Sequence, residues 1–180
     1  MSTTSRVIML LCAGALFCAE GQASDPKNQG TGQVTLNGTI TETPCVIDTQ
    51  SRDQSIDMGA TPVSTLARDG RGEAHPFRIR LVNCRLAHLN PSLPDWRYFR
   101  ATFEGPVDNG QFGLSGDAGG VALMLTDAAG NVARPGEPLL PGELTGGDQD
   151  LDYTLRLVGN RQGLRAGDFR TALRFRMDYY

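Results

Sequence analysis

Beyond its first two dozen residues, the chain of 180 residues has no long apolar run, so no later segment reads as a membrane-spanning helix. Histidine is scarce: His75 and His88 are the only two, and no His-Glu-x-x-His frame surrounds either, which leaves a zinc hydrolase without its ligands. Charge of one sign is not in excess. With 17 Lys and Arg against 20 Asp and Glu, the formal net charge of −3 argues for neither a nucleic-acid partner nor an anionic membrane surface. No amphipathic helix of useful length competes anywhere in the pattern. Gly116–Gly120 is glycine-rich but has no lysine and no helix start, so a phosphate cradle is not expected. Ser115 lies in Leu-Ser-Gly-Asp without the glycines of a nucleophile elbow. Asp148, Asp150 and Asp152 read as a solvated turn rather than an acid/base pair. The expectation is a chain that is not an enzyme, with no catalytic residue, no cofactor and no metal.

What is present begins with an address. Arg6 is the only charge before an apolar run from Val7 to Ala19, and small residues follow at Gly21 and Ala23, ahead of Ser24. A charged start, a short apolar centre and a small-x-small site describe a secretory signal peptide over residues 1–23. A lipoprotein signal does not fit, because Phe17 precedes Cys18 where a small residue is needed. Cys12 and Cys18 leave with that segment, so Cys45 and Cys84 remain. An even pair in an oxidising compartment reads as one disulfide, with two buried thiols as the alternative. Closing a loop of that length is worth roughly 4 kcal/mol in the chain-entropy model. Metal binding by the pair would need further ligands that the sequence does not supply.

With 22 Gly and 10 Pro, the chain reads as a turn-rich β domain. A period of two runs from Gly30 through Gly32, Val34, Leu36, Gly38 and Ile40, with polar residues between, which predicts a strand with one buried face, closed at Pro44 and Cys45. Val46–Ile47 continue briefly. Further strands are predicted at 54–58, 77–82, 98–103, 121–126 and 151–158. The segments 108–120 and 134–150 read as irregular, with the breakers of 86–95 marking another loop. Arg78 and Arg80 lie on one strand's polar face and Arg174 and Arg176 on another's; both read as solvated faces. The last predicted strand is the strongest: Phe169, Thr171, Leu173, Phe175, Met177 and Tyr179 share one face. Six or seven short strands in this length suggest a β-sandwich of immunoglobulin type.

Two features sit badly with a self-sufficient sandwich. The sequence ends two residues after the best strand, with nothing following to cover its far edge. The first strand, meanwhile, carries a polar, glycine-containing leader that a closed domain does not need. An uncovered edge beside apolar side chains is an aggregation hazard. Either the first strand of the same chain covers it, or another chain supplies the strand by β-augmentation.

The run Gly32-Gln33-Val34-Thr35-Leu36-Asn37-Gly38-Thr39-Ile40 leading to Pro44-Cys45 resembles the start of major pilins of the chaperone–usher pathway, P-pilus rods in particular. So does Asp53-Gln54-Ser55-Ile56-Asp57-Met58-Gly59. Leu81-Val82-Asn83-Cys84 resembles that family's second cysteine, and Met177-Asp178-Tyr179-Tyr180 carries its penultimate tyrosine. The later half, through Leu114-Ser115-Gly116, Leu151-Asp152-Tyr153-Thr154-Leu155-Arg156, Ala166-Gly167-Asp168-Phe169 and Phe175-Arg176-Met177-Asp178-Tyr179, is similar to the P-pilus termination subunit. The resemblance covers nearly the whole chain after the signal segment.

It implies an all-β, incomplete immunoglobulin-like sandwich that lacks its last strand and is completed by a donated one. The implied organisation is a signal peptide at 1–23, an N-terminal extension acting as donor strand at 24–36, and a pilin domain at 37–180. The implied partners are a periplasmic pilus chaperone, an outer-membrane usher and sister pilin subunits, with the product exported through the periplasm to an extracellular fimbria. The donor face falls on Gly30, Gly32, Val34 and Leu36; glycine is expected where the donor crosses a narrow part of the groove, because only it lets backbones approach closely. Leu173, Phe175, Met177 and Tyr179 are expected to line the groove and form the edge on which the chaperone docks. The leader Ser24–Thr31 has almost no large apolar side chain, so its outermost donor contact is expected to be small or absent. Within the fibre the chain reads as a rod or minor subunit or as the terminator. A single-domain secreted carbohydrate-binding adhesin is the competing expectation.

Overall fold

Residues 32–180 are described by a computed structural model. The expected signal segment, Cys12, Cys18 and Gly30 lie outside the described residues. The body, Ile40–Tyr180, opens with strand β1 (Val46–Ile47), helices α1 (Thr49–Arg52) and α2 (Val63–Asp69), and strands β2 (His75–Cys84) and β3 (Tyr98–Glu104). Three two-residue strands follow, β4 (Val107–Asp108), β5 (Gln111–Phe112) and β6 (Ser115–Gly116), then β7 (Val121–Asp127). After β8 (Val132–Ala133) and β9 (Gly142–Glu143) come the long β10 (Gly147–Gly159), β11 (Phe169–Arg170) and β12 (Arg174–Tyr179).

Antiparallel pairing builds one layer in the order β1-β2-β10-β7-β5-β4, with β8 also on β7, and a second in the order β12-β3-β9. A separate two-stranded piece joins β11 to β6. Alternation in sequence has become alternation in burial. On β2, Ile79 and Leu81 are fully buried while Arg78 and Arg80 face water; on β10, Leu151, Tyr153, Leu155 and Leu157 are buried. From the other layer, Phe99, Ala101 and Phe103 of β3 complete the core. The Phe103 ring sets its edge against Tyr153 at 5.0 Å and against Phe77 at 6.3 Å. Each large apolar side chain so buried contributes about 1.5–3 kcal/mol, and these contacts hold the two layers face to face.

The Cys45–Cys84 disulfide ties the start of β1 to the end of β2, closing 39 residues of sequence. Cys84→Ser is expected to lower the unfolding free energy by roughly 4 kcal/mol, read as a fall in urea midpoint. An unchanged midpoint would mean that other contacts already close this loop.

The structure corrects the sequence reading in five places. Residues 32–41, expected as a strand with a buried face, are exposed and belong to no strand; a period of two records a face that wants covering, not a partner. Residues 54–58 keep the expected alternation, with Ile56 and Met58 half-buried, yet form no ladder with any described strand. Asp148, Asp150 and Asp152 lie on β10 rather than in a turn, within cross-strand reach of an arginine row: Arg78 holds Asp152 at 2.7 Å and Asp150 at 3.0 Å, and Arg80 holds Asp148 at 2.9 Å. Opposite charges directly across a ladder stabilise it, and a turn reading could not see the partner strand. The last strand is two strands. β11 pairs with β6, three residues intervene, and β12 pairs with β3; burial keeps alternating through the break, so the pattern hid it. Finally, the strands β5, β6 and β9 occupy segments read as irregular, β4 reaches into one of them, and the two short helices and β8 fall where no element was expected. The signal for α2 was its end: Gly70 takes a left-handed φ of 70° and its N–H donates to the Leu66 carbonyl, a glycine C-cap.

Candidate functional site

Among the described residues β12 is paired on one side only. Its partner is β3, in the register Phe175↔Phe103, Met177↔Ala101 and Tyr179↔Phe99, and the ladder continues to Tyr180, which exchanges backbone bonds with Tyr98. Among the described residues no strand pairs with its other edge. Side-chain burial records the same asymmetry. The β3 members of those register pairs are buried, whereas Phe175, Met177 and Tyr179 on the same face are only half-buried. Apolar side chains that face a core yet stay half wet are the mark of a missing neighbour strand.

Beside that edge lies a groove of about 1100 Å³. Its floor is apolar, made by Phe77, Phe103, Leu114, Leu123 and Leu155 from the facing strands and their connections. One wall is the segment from Gly167 through Phe175; the other is segment 53–61. Asp53 leaves α1 with φ −140° and ψ 107°, and the Gln54 side chain donates to the Arg78 carbonyl at 2.8 Å, fastening this wall to β2. Segment 53–61 belongs to no strand, and in the facing wall β11 is paired with β6 and β12 with β3, leaving the other edge of β12 without a partner among the described residues. An extended segment with apolar side chains at alternate positions would satisfy walls and floor together.

Of the residues named from sequence, Leu173 and Phe175 line the groove. Met177 and Tyr179 continue the same face of β12 and pack against the core. The Tyr179 hydroxyl is buried with no hydrogen-bond partner, and burial pushes its phenol above the ordinary tyrosine range. A buried polar atom without a partner is uncommon in a finished fold. Gly32, Val34 and Leu36 are exposed, Val34 by 83% and Leu36 by 87%; Gly30 lies outside the described residues. Sequence reasoning missed the second wall. The alternation of Ile56 and Met58 was legible, but what it would border was not.

The side chains weighed for catalysis are engaged elsewhere. The Ser115 hydroxyl donates to the Arg170 carbonyl at 3.0 Å. His88 stacks on Trp96 with ring centres 4.1 Å apart and faces Glu42. Among the described residues there is no group of three His, Cys, Asp or Glu placed to hold a metal ion.

No family model matches the chain. It is 38% identical over 150 residues to the PRS fimbrial minor pilin protein of Escherichia coli, covering 82% of this chain and 77% of that protein. The crystal structure of the P pilus rod subunit PapA superposes with a TM-score of 0.68 at 25% identity, covering 77% of this chain and all of that one. A subunit in the structure of a chaperone–usher pilus gives a TM-score of 0.67 at 28% identity, covering 84% of this chain and 97% of the other.

Proposed function

The chain belongs to the fimbrial pilins of the chaperone–usher pathway; from that premise we propose that it is built into its fibre by giving one strand and receiving another. It is a structural subunit of an extracellular pilus, an immunoglobulin-like sandwich short of one strand. The groove between segment 53–61 and β12 receives the strand. Residues 24–36, with Gly30, Gly32, Val34 and Leu36 on the inserting face, supply one to a sister subunit. The single observation that carries this is the free edge of β12 beside an apolar groove, with Phe175, Met177 and Tyr179 left half-buried.

Before assembly such a groove would aggregate with any exposed strand. A periplasmic chaperone lending a strand to β12, and an outer-membrane usher where the sister's extension replaces it, are the partners this arrangement calls for. The work asked of the protein is burial and pairing, and we assign it no catalysis. Val34 and Leu36, buried together in an acceptor, would contribute roughly 3–6 kcal/mol, with backbone pairing in addition. The exported route fits the signal segment expected at residues 1–23.

Strand exchange tests the assignment. The subunit is purified with its chaperone, a peptide copy of a sister subunit's extension is added, and chaperone release is followed on an unboiled gel. A stable subunit–peptide complex is the result expected of a rod or adaptor subunit. A stable chaperone complex that never exchanges identifies a fibre terminator. A subunit that is soluble and monomeric without any chaperone overturns the open-groove assignment.

A further inference from the structure

Residues 32–41 are exposed and belong to no strand, and Thr43 is exposed as well. Between them the Glu42 side chain is only 32% exposed. Its Oε1 accepts the Leu89 backbone N–H at 2.7 Å, and its Oε2 lies 3.3 Å from His88 Nδ1. Leu89 lies 47 residues further along the chain, so this bond is a tertiary tie and not a local turn. Its receiving end is itself held: His88 stacks on Trp96 with ring centres 4.1 Å apart, and the Trp96 N–H donates to the Leu86 carbonyl at 2.7 Å. The Leu89 bond holds the Glu42 carboxyl below the usual glutamate range. The group is therefore charged at neutral pH, and the bond is of the stronger, charge-assisted kind. The next tie along the chain is the buried Pro44, whose carbonyl accepts the Arg85 N–H at 2.8 Å, followed at once by the disulfide at Cys45.

Resting on the reading of residues 24–36 as a donor strand, we propose that Glu42 is a positioning residue for strand donation: its clasp on the Leu89 N–H, and not the disulfide, fixes the point at which the extension leaves the body. The reason is what each tie leaves free. With Leu36 held in an acceptor and Glu42 clasped, residues 37–41 span the joint. Without the clasp the span runs over residues 37–43, and the two added residues lengthen its reach by up to about 7 Å. A shorter span restricts the arrangements open to donor and acceptor, so less conformational freedom is lost when the strand is seated. No contact between the two bodies is needed for this. What the clasp requires at position 42 is a hydrogen-bond acceptor of glutamate's reach, which glutamine also supplies and alanine does not.

Two measurements test this, one on the chaperone-bound subunit and one on the purified pair in which this subunit is joined to a sister pilin. In the chaperone complex, the Leu89 amide should exchange its hydrogen roughly tenfold faster in Glu42→Ala than in the parent, with Glu42→Gln close to the parent. In the joined pair, the distance between spin labels placed one on each body should lengthen or spread by up to about 7 Å in Glu42→Ala and not in Glu42→Gln. Inserting Gly-Ser between Thr41 and Glu42 should give the same spread while the Leu89 amide stays slow, which a loss of fold stability would not reproduce. An unchanged Leu89 exchange rate in Glu42→Ala overturns the clasp. Faster exchange with an unchanged distance distribution overturns its positioning role. Either result leaves the donor reading standing if the amides of residues 32–36 become protected when the pair forms. Residues 32–36 that stay unprotected in the joined pair overturn the donor reading and this proposal with it.

Discussion

Removing Tyr179 and Tyr180 is expected to abolish accumulation of the subunit in the periplasm, read by immunoblot of periplasmic extract beside the parent chain. The Tyr180 carbonyl accepts the Arg97 N–H at 3.1 Å and the Tyr98 N–H at 2.9 Å, and the Tyr180 N–H donates to Tyr98 at 3.0 Å. Each such bond is worth about 0.5–1.5 kcal/mol. The half-buried Tyr179 ring, opposite Phe99, takes a further apolar contact with it. Together this is a large share of the roughly 5–15 kcal/mol by which a finished domain is stable, and this domain is short of a strand. The same deletion shortens the free edge of β12, on which the proposed chaperone docks. Tyr180→Ala separates the two contributions, because it keeps the backbone bonds and removes only the ring that stacks near Tyr98 and under Arg100. That variant should accumulate close to the parental level. A deletion that accumulates normally would reject β12 as the groove's edge, and a Tyr180→Ala loss equal to the deletion would assign the effect to the ring.

Gly32→Leu is expected to leave the subunit folded and chaperone-bound while preventing its incorporation onto the sister that should receive its extension. Within its own chain the substitution is silent. Gly32 is exposed, a Cβ there would meet nothing within 4 Å, and its backbone needs no left-handed φ. Any effect must therefore arise in an acceptor. Where a donor strand crosses a narrow part of a groove, an added side chain meets packed neighbours, and overpacking of that kind costs about 1–3 kcal/mol. The expected result is a chaperone complex of parental yield and melting behaviour, with incorporation into pili reduced by on the order of tenfold to a hundredfold. Gly32→Ala should fall between. Pili that take up the leucine variant as readily as the parent would remove the donor assignment of Gly32, and with it that of Gly30, Val34 and Leu36 as one face.

The residues themselves determined a good deal. Alternation with a period of two depends only on side chains lying on opposite faces of a strand, so β2, β12 and, less strictly, the core of β10 were legible from it, while β3 and β7 were legible as short apolar runs bounded by turn residues. The pairing of Cys45 with Cys84 was legible too, because export left two cysteines in an oxidising compartment. The face of Val34 and Leu36 showed itself as apolar alternation, and that both are exposed came only from the structure. What the sequence could not carry is which segments become neighbours, because pairing is decided between residues far apart in the chain. Asp148, Asp150 and Asp152 became a strand face only when Arg78 and Arg80 stood opposite. The final run split into β11 and β12 only because two different partners, β6 and β3, bind its halves. The groove depended most on tertiary structure. Its walls come from residues near 56 and near 173, its floor from strands between them, and its openness from a ladder position that no described strand fills. Local pattern decides which face of a strand is apolar; only the assembled sheets decide whether anything covers it.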